Sequence, residues 1–329
     1  MARKNLSLSE VSEAPVIPQY HLKEKNGLGK RMAKCWQLYL FLLIPLAWLI
    51  IFCYVPMSGI QLAFRKFTIQ GGIWHSPWVG LEYFKRFFHS PQLGRILPNT
   101  IILSFYSLIA GFPLPVIFAI CLNALTGKYF KKTVQTITYM PHFISTVVLV
   151  GMLYQIFNDR IGLYGAISRA VTGSPPKDIF AEADAFRHMH VWSGIWQNLG
   201  WGSIIYLAAL SGVDLSLHDS AQIDGASRFQ RVLYIDLPAI IPTIVVMLIL
   251  RSGHIMSVGF EKTYLLQNQL NLSKSEVIST YVYKVGLASG GQSDYSYSTA
   301  IGLFNSLVNM MILVTVNFIS KRVSETSLW

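Results

Sequence analysis

Apolar positions along this chain gather into long unbroken runs instead of alternating with polar ones. Trp36–Met57, Leu97–Leu125, Ile137–Phe157, His190–Val213, Ala239–Phe260 and Ser298–Ser320 are each close to or above the ~20 residues that a helix needs to cross hydrocarbon. The pattern predicts an all-α polytopic membrane protein of six transmembrane helices, with too little left over for a large soluble domain. One polar island, Asp219 to Pro242 (DSAQIDGASRFQRVLYIDLPAIIP), separates the fourth run from the fifth. It predicts a helix to Asp224, a break at Gly225, helix again from Ala226 to Tyr234, and a stop at Leu237-Pro238. Residues 1–34 form a polar tail, and 35–329 read as one membrane domain. Loop 58–96 is rich in aromatics, which favour the headgroup level; it is expected at the membrane surface, with a short helix around Leu81–Phe88. Loop Glu261–Asp294 is expected to be mobile. In the second run Gly111, Pro113 and Pro115 predict a kink, either a hinge or a static bend.

Composition sharpens this. Hydrophobic residues make up 52% and charged residues 13% of the 329, against about 25% charged in soluble domains; mean hydropathy is +0.43. A bilayer is the solvent. Residues 1–34 are too long and polar for a signal-peptide leader, so the first run is expected to remain uncleaved. Lys30, Arg31 and Lys34, then Lys128, Lys131 and Lys132, then Lys321 and Arg322 flank alternate run ends. By the positive-inside rule both termini are expected in the cytoplasm. Net charge is +11. The outer loops carry a small positive excess from Arg65, Lys66, Lys85, Arg86 and Arg95, which reads either as attraction for an anion or as ordinary solvated loop charge. Cys35, Cys53 and Cys121 are odd in number, without paired spacing, and predict neither disulfides nor a metal site.

Some residues inside the runs carry chemistry. Arg251 in the fifth run is costly in hydrocarbon, about 2.5–3.5 kcal/mol on insertion scales. His254, Ser257 and Val258 follow at helical spacing, which predicts one shared face. With no Asp or Glu inside any run, an external anion could neutralise Arg251, and guanidinium pairs bidentately with carboxylate. A snorkelled or subunit-paired structural charge is the other reading. The fourth run adds Trp192, Trp196, Gln197, Asn198 and Trp201. Such residues suit a sugar site, aromatic faces with a few amides. They equally suit interfacial anchoring for Trp192 and Trp196, and packing for Trp201. His254 reads as a site residue or a satisfied buried histidine, His142 as a helix-end histidine, and Asn305 as an interhelical hydrogen bond. No protease, hydrolase or metal-ligand motif occurs, and Gly27–Lys30 lacks the first glycine and the hydroxyl of a phosphate loop. An enzyme is not expected. An ion-coupled carrier would place carboxylates in its spans and show repeats, and neither is seen.

The polar island carries a resemblance. Asp219-Ser220-Ala221, then Asp224-Gly225-Ala226, then nine residues from Gly225 to Ile235 and on to Leu237-Pro238, is similar to the E-A-A-x3-G-x9-I-x-L-P coupling loop of ATP-binding-cassette importer permeases. Asp219 and Ser220 depart from it by type, not spacing. Tyr54–Ile60, Ala63-Phe64, Asn99-Thr100, Tyr139–Ser145 and Ser327-Leu328-Trp329 resemble the branch that imports oligo- and polysaccharides, and within it alginate importers. The resemblance covers 36–329. It implies a type I importer bundle in a bacterial inner membrane, with coupling loop 214–242 docked on an ATPase. It implies a second homologous permease, two ATPase subunits that hold ATP and Mg, an extracytoplasmic solute-binding protein, lipid, and no cofactor or nucleic acid bound by this chain. Counting from the motif, the sugar-lining positions of the maltose permease resemble Trp196, Asn198, Trp201, Arg251, His254, Ile255 and Val258. The implied function is import of oligo- or polysaccharide, an acidic uronate such as alginate; a neutral solute or an ion-coupled carrier are the alternatives.

Overall fold

The computed structural model describes residues 35–290 and 293–324. The N-terminal tail and the terminal Ser327-Leu328-Trp329 lie outside them. Among the described residues there are helices, two isolated β-bridges and no strand. Two units are distinguished, one ending at Ser58 and one beginning at Gly59.

In the first unit, helix α1 spans residues 36–57. Its apolar side chains are exposed all round, with none of its most apolar stretch buried. A helix apolar on every face belongs in lipid or against another chain. Pro56 would interrupt it, since proline offers no N–H and its ring crowds the carbonyl four residues back. The helix absorbs the proline with a π turn over Ile50–Tyr54, where the Val55 N–H reaches back to the Ile50 carbonyl. Pairing is thereby shifted by one residue.

The second unit contains α2 (Leu93–Asn123), α3 (Lys128–Tyr139), α4 (Thr146–Ile156), α5 (Ala183–Leu210), α6 (Leu215–Ile223), α7 (Arg228–Ser252), α8 (Phe260–Leu266), α9 (Ile278–Gly286) and α10 (Tyr295–Ser324). Four helices, α1, α2, α7 and α10, are long and apolar enough to cross a membrane. The count reaches six if the bent pairs α3/α4 and α5/α6 each make one span. The expected straight span Ile137–Phe157 is corrected here. A 102° bend separates α3 from α4 at Met140–Ser145, because Pro141 ends one helix and Ser145 caps the next through the Val148 N–H.

The expected span Ala239–Phe260 is corrected at both ends. Leu237-Pro238 is not a stop: a second π turn, Val232–Asp236, carries the helix through, with the Leu237 N–H on the Val232 carbonyl. Asp236 therefore lies inside the helix. At the other end α7 stops at Ser252 and the chain unwinds to Gly259. Asn309 of α10 satisfies the unwound backbone, accepting from the Met256 N–H at 2.9 Å and donating to Ser257 Oγ at 3.2 Å. Asn309 thus has the interhelical role expected of Asn305, whose Oδ1 is buried without a partner.

Three apolar clusters fill the unit, and α2 threads them all: Ile96 in the outermost, Leu103 in the second, Val116, Ala119 and Leu122 in the third. The aromatic loop does form a helix, Glu82–Phe88. Tyr83 and Phe87 turn inward and pack against Tyr297 and Phe304, while Trp74, Trp78 and Phe88 stay exposed. Segment 261–294 is likewise built into the core through Leu266, Val277 and Ile278. Two of the first-loop cations have internal partners, Arg86 with Asp294 at 2.7 Å and Arg95 with the buried Glu276, which favours ordinary loop charge.

Helices α5 and α3 meet at Gly200. A Cβ there would lie 2.3 Å from the Thr138 carbonyl oxygen, and backbone cannot step aside as a side chain can. In a bilayer, close approach of this kind replaces water expulsion as the source of cohesion. Gly200→Ala is therefore expected to destabilise the protein by about 1–3 kcal/mol. A lower unfolding midpoint in detergent, with Gly202→Ala costing less, checks this; the Cβ at 202 would meet only Pro115 ring atoms at 3.3 Å or more.

Candidate functional site: a crevice around Arg251 and an exposed turn

The island opens with α6, capped by Asp214, whose Oδ1 accepts the Ser216 N–H at 2.9 Å. That backbone donor holds the Asp214 carboxyl below the usual range, so the cap is complete above ordinary carboxylate pKa values and is lost as pH falls through the lowered one. Gly225 closes the helix with φ +79°. The Ala226 N–H reaches the Ala221 carbonyl at 2.9 Å and the Gly225 N–H reaches Gln222 at 3.1 Å, the paired bonds of a Schellman cap. Ser227 then starts α7 with a reciprocal capping box to Gln230. Asp219, Ser220, Asp224 and Gly225 are exposed, Ala221 and Ala226 half-buried. Ile223 and Phe229 stand out of the same turn at 86% and 74% exposure. Ile235, Leu237 and Pro238 belong to the root of α7.

One member was missed in the sequence. Asp236 is 5% exposed and lies 3.3 Å from His218 Nε2, so a pair of side chains ties α6 to α7. The available signal was a lone acid in the apolar stretch Tyr234–Ile240.

The candidate pathway residues do not share one helical face, because α7 ends before His254. They nevertheless gather. A cavity of about 360 Å³ is lined by Ser107, Gly111, His190, Gly194, Asn198 and Arg251 among others. A second, about 300 Å³, shares Ser107, His190 and Arg251 and adds His254, Ile255 and Val258. Arg251 is the divider. Its Nη1 donates to the Gly111 carbonyl at 3.1 Å and its Nη2 to Ser107 at 3.0 Å. The Gly111 carbonyl is free to accept because its helical partner four residues on is Pro115, which has no N–H. Backbone carbonyls thus already engage two Arg251 nitrogens, as the reading of Arg251 as a structural charge allows, and leave its other donors for an external anion. Val258 lines the second cavity with a side chain mostly packed among Leu103, Val191 and Leu266.

The tryptophans lie elsewhere. Trp196, with Trp192, faces an apolar cavity of about 400 Å³ beside Leu149 and Met152. Trp201 stacks on His142 with ring centroids 4.3 Å apart, and His142 Nδ1 lies 3.0 Å from Asn198 Oδ1. His142 is therefore more than a helix end; through Asn198 it reaches the first cavity.

Comparison with known proteins fits this geometry. Residues 97–325 match the family described as binding-protein-dependent transport system inner membrane component. The chain is 41% identical over 292 residues to Protein LplB of Bacillus subtilis, covering 89% of this chain and 91% of that protein. It is 38% identical over 320 residues to the polygalacturonan/rhamnogalacturonan transport system permease protein YteP of the same organism, 97% and 98% covered. A crystal structure of a bacterial alginate ABC transporter, in complex with an alginate pentasaccharide-bound periplasmic protein, matches with TM-score 0.83 and 37% identity over 92% of this chain and 99% of that one. A second, of a bacterial ABC transporter involved in importing the acidic polysaccharide alginate, gives 0.82 and 38%, covering 90% and 99%. The chain belongs to the binding-protein-dependent transport system inner membrane components, as a sugar permease of the ABC importer type.

Proposed function

We propose that this chain is one of two homologous permeases of an ATP-driven importer for acidic, uronate-type oligosaccharides. The observation that carries the acidic reading is Arg251, a cation set between two cavities whose linings contain no Asp or Glu. A guanidinium with donors to spare in such a crevice favours a carboxylate. Support comes also from the alginate importers and the polygalacturonan permease among its relatives. Asn198 and His254, which line the two cavities, would orient the sugar.

The exposed turn at Gly225 suits docking to an ATPase. Helix α6 has nine residues, too few to be stable alone in water, and presents Ile223 and Phe229 outward. In this reading two ATPase subunits hold ATP and Mg, and both termini face the cytoplasm with them. A solute-binding protein delivers sugar from outside. A second reading, a neutral oligosaccharide, is favoured by the backbone partners of Arg251, which allow a purely structural charge. Reconstitution separates the readings. With its partners in proteoliposomes, uptake of a uronate trimer should require internal ATP, persist with an uncoupler, and resist competition by neutral trisaccharides. Uptake that collapses with the uncoupler rejects an ATP-driven importer; competition by neutral sugar rejects the acidic substrate.

A further inference from the structure

Helix α8, beyond the unwound stretch, brings a second cation against the α5 turn that walls this crevice. Lys262 lies against Gly194 so closely that a Cβ on that glycine would sit 2.7 Å from its Nζ. Gly194 lines the cavity that Arg251 divides. Arg251 comes to the same turn of α5: the Cβ position of Gly111 is 2.9 Å from its Nη2 and 3.6 Å from Ile195. Two cations thus approach Gly194-Ile195, each through space left by a glycine.

Neither cation has a carboxylate. Lys274 pairs with Asp184, and Lys284 lies 3.6 Å from Glu276; among the described residues no ion pair includes Lys262 or Arg251. His190 lies one turn before Gly194 on α5, 6% exposed. Its Nε2 lies 3.1 Å from Thr263 Oγ1, while Nδ1 is buried without a partner. His190 lines both cavities. Like charges brought together away from water are unfavourable unless an anion joins them. A chain that only needed a structural strap for the α2 kink would require Arg251 alone.

We propose that Lys262, with His190 beside it, completes with Arg251 an anion-binding subsite for a substrate carboxylate, making Lys262 a specificity-determining residue of the pathway. This rests on the acidic-substrate reading above. The subsite would take one uronate carboxylate at the Gly194 turn, with sugar hydroxyls directed toward Asn198.

The test is ligand-dependent thermal stabilisation of the purified full transporter in detergent, without binding protein, since a ligand that binds only the folded state raises its midpoint. The probes are trimannuronate and trigalacturonate, each against its methyl ester, which keeps size and removes charge. The wild type should respond to the acids and not to the esters. Lys262→Gln should need about tenfold more acid for the same shift, one charge-assisted contact being lost, and Lys262→Arg should recover most of it. The ligand-free midpoint of each variant monitors folding. If the wild type responds to acids and esters alike, or to neither, the acidic-substrate reading falls and this inference with it. If the wild type discriminates and Lys262→Gln responds as it does, Lys262 is only structural.

Discussion

Gly225→Pro is expected to abolish ATP-driven uptake while leaving insertion and the thermal stability of the span bundle close to wild type. The reason is local. Gly225 has φ +79°, and proline is fixed near −65°. Its N–H also donates to the Gln222 carbonyl, a bond proline cannot make. Both halves of the Schellman cap would go, and the angle between α6 and α7 would be set by the new residue. Gly225→Ala is a graded control. Nothing lies within 4 Å of its added Cβ, so the variant meets only the left-handed backbone penalty, about 1–2 kcal/mol, and should keep partial uptake. Asp219→Lys reverses an exposed charge without touching the cap and is also expected to stop uptake. Measured in proteoliposomes, uptake and ATP hydrolysis should separate: hydrolysis that no longer responds to loaded binding protein marks a broken connection. Wild-type uptake by Gly225→Pro rejects the coupling role of this turn.

What could be read in the chain beforehand divides along a physical line. Features decided by residue type and local spacing were legible. Runs such as Leu97–Leu125 announce a bilayer by composition, and a glycine after a short polar helix announces a left-handed cap. Features decided by a distant partner were not. That α7 unwinds after Ser252 depends on Asn309, more than fifty residues on, accepting from the freed Met256 N–H and donating to the Ser257 hydroxyl. That Arg251 has a home depends on a carbonyl orphaned by Pro115 in another helix. The prolines misled in a specific way: Pro238 reads as a stop under i to i+4 pairing, and only the π turn before it lets the helix continue. Lys262 does not stand out in the sequence because it follows the fifth apolar run, where a lysine looks like ordinary loop charge. Only after the unwound stretch Gly253–Gly259 does the chain bring it to Gly194.

Arg251→Ala is expected to lower uptake of acidic oligosaccharides about 100-fold, the scale of one strong charged contact at roughly 3 kcal/mol, and to lower neutral-sugar uptake far less. The substitution has a second consequence, because it leaves the Gly111 carbonyl without a donor, which costs roughly 1–3 kcal/mol where water does not replace it. Loss of activity alone would therefore not distinguish a ligand from a strap. Pro115→Ala separates them, since it returns an N–H four residues after Gly111 and can satisfy that carbonyl from within α2. The double variant Arg251→Ala/Pro115→Ala should regain the unfolding midpoint that Arg251→Ala loses, a coupling read directly from the mutant cycle. If Arg251 binds substrate carboxylate, the double variant remains unable to import acidic trimers despite its restored stability. If both stability and acidic uptake return together, Arg251 serves the kink alone, and the crevice between α2, α5 and α7 is a passage for neutral sugar.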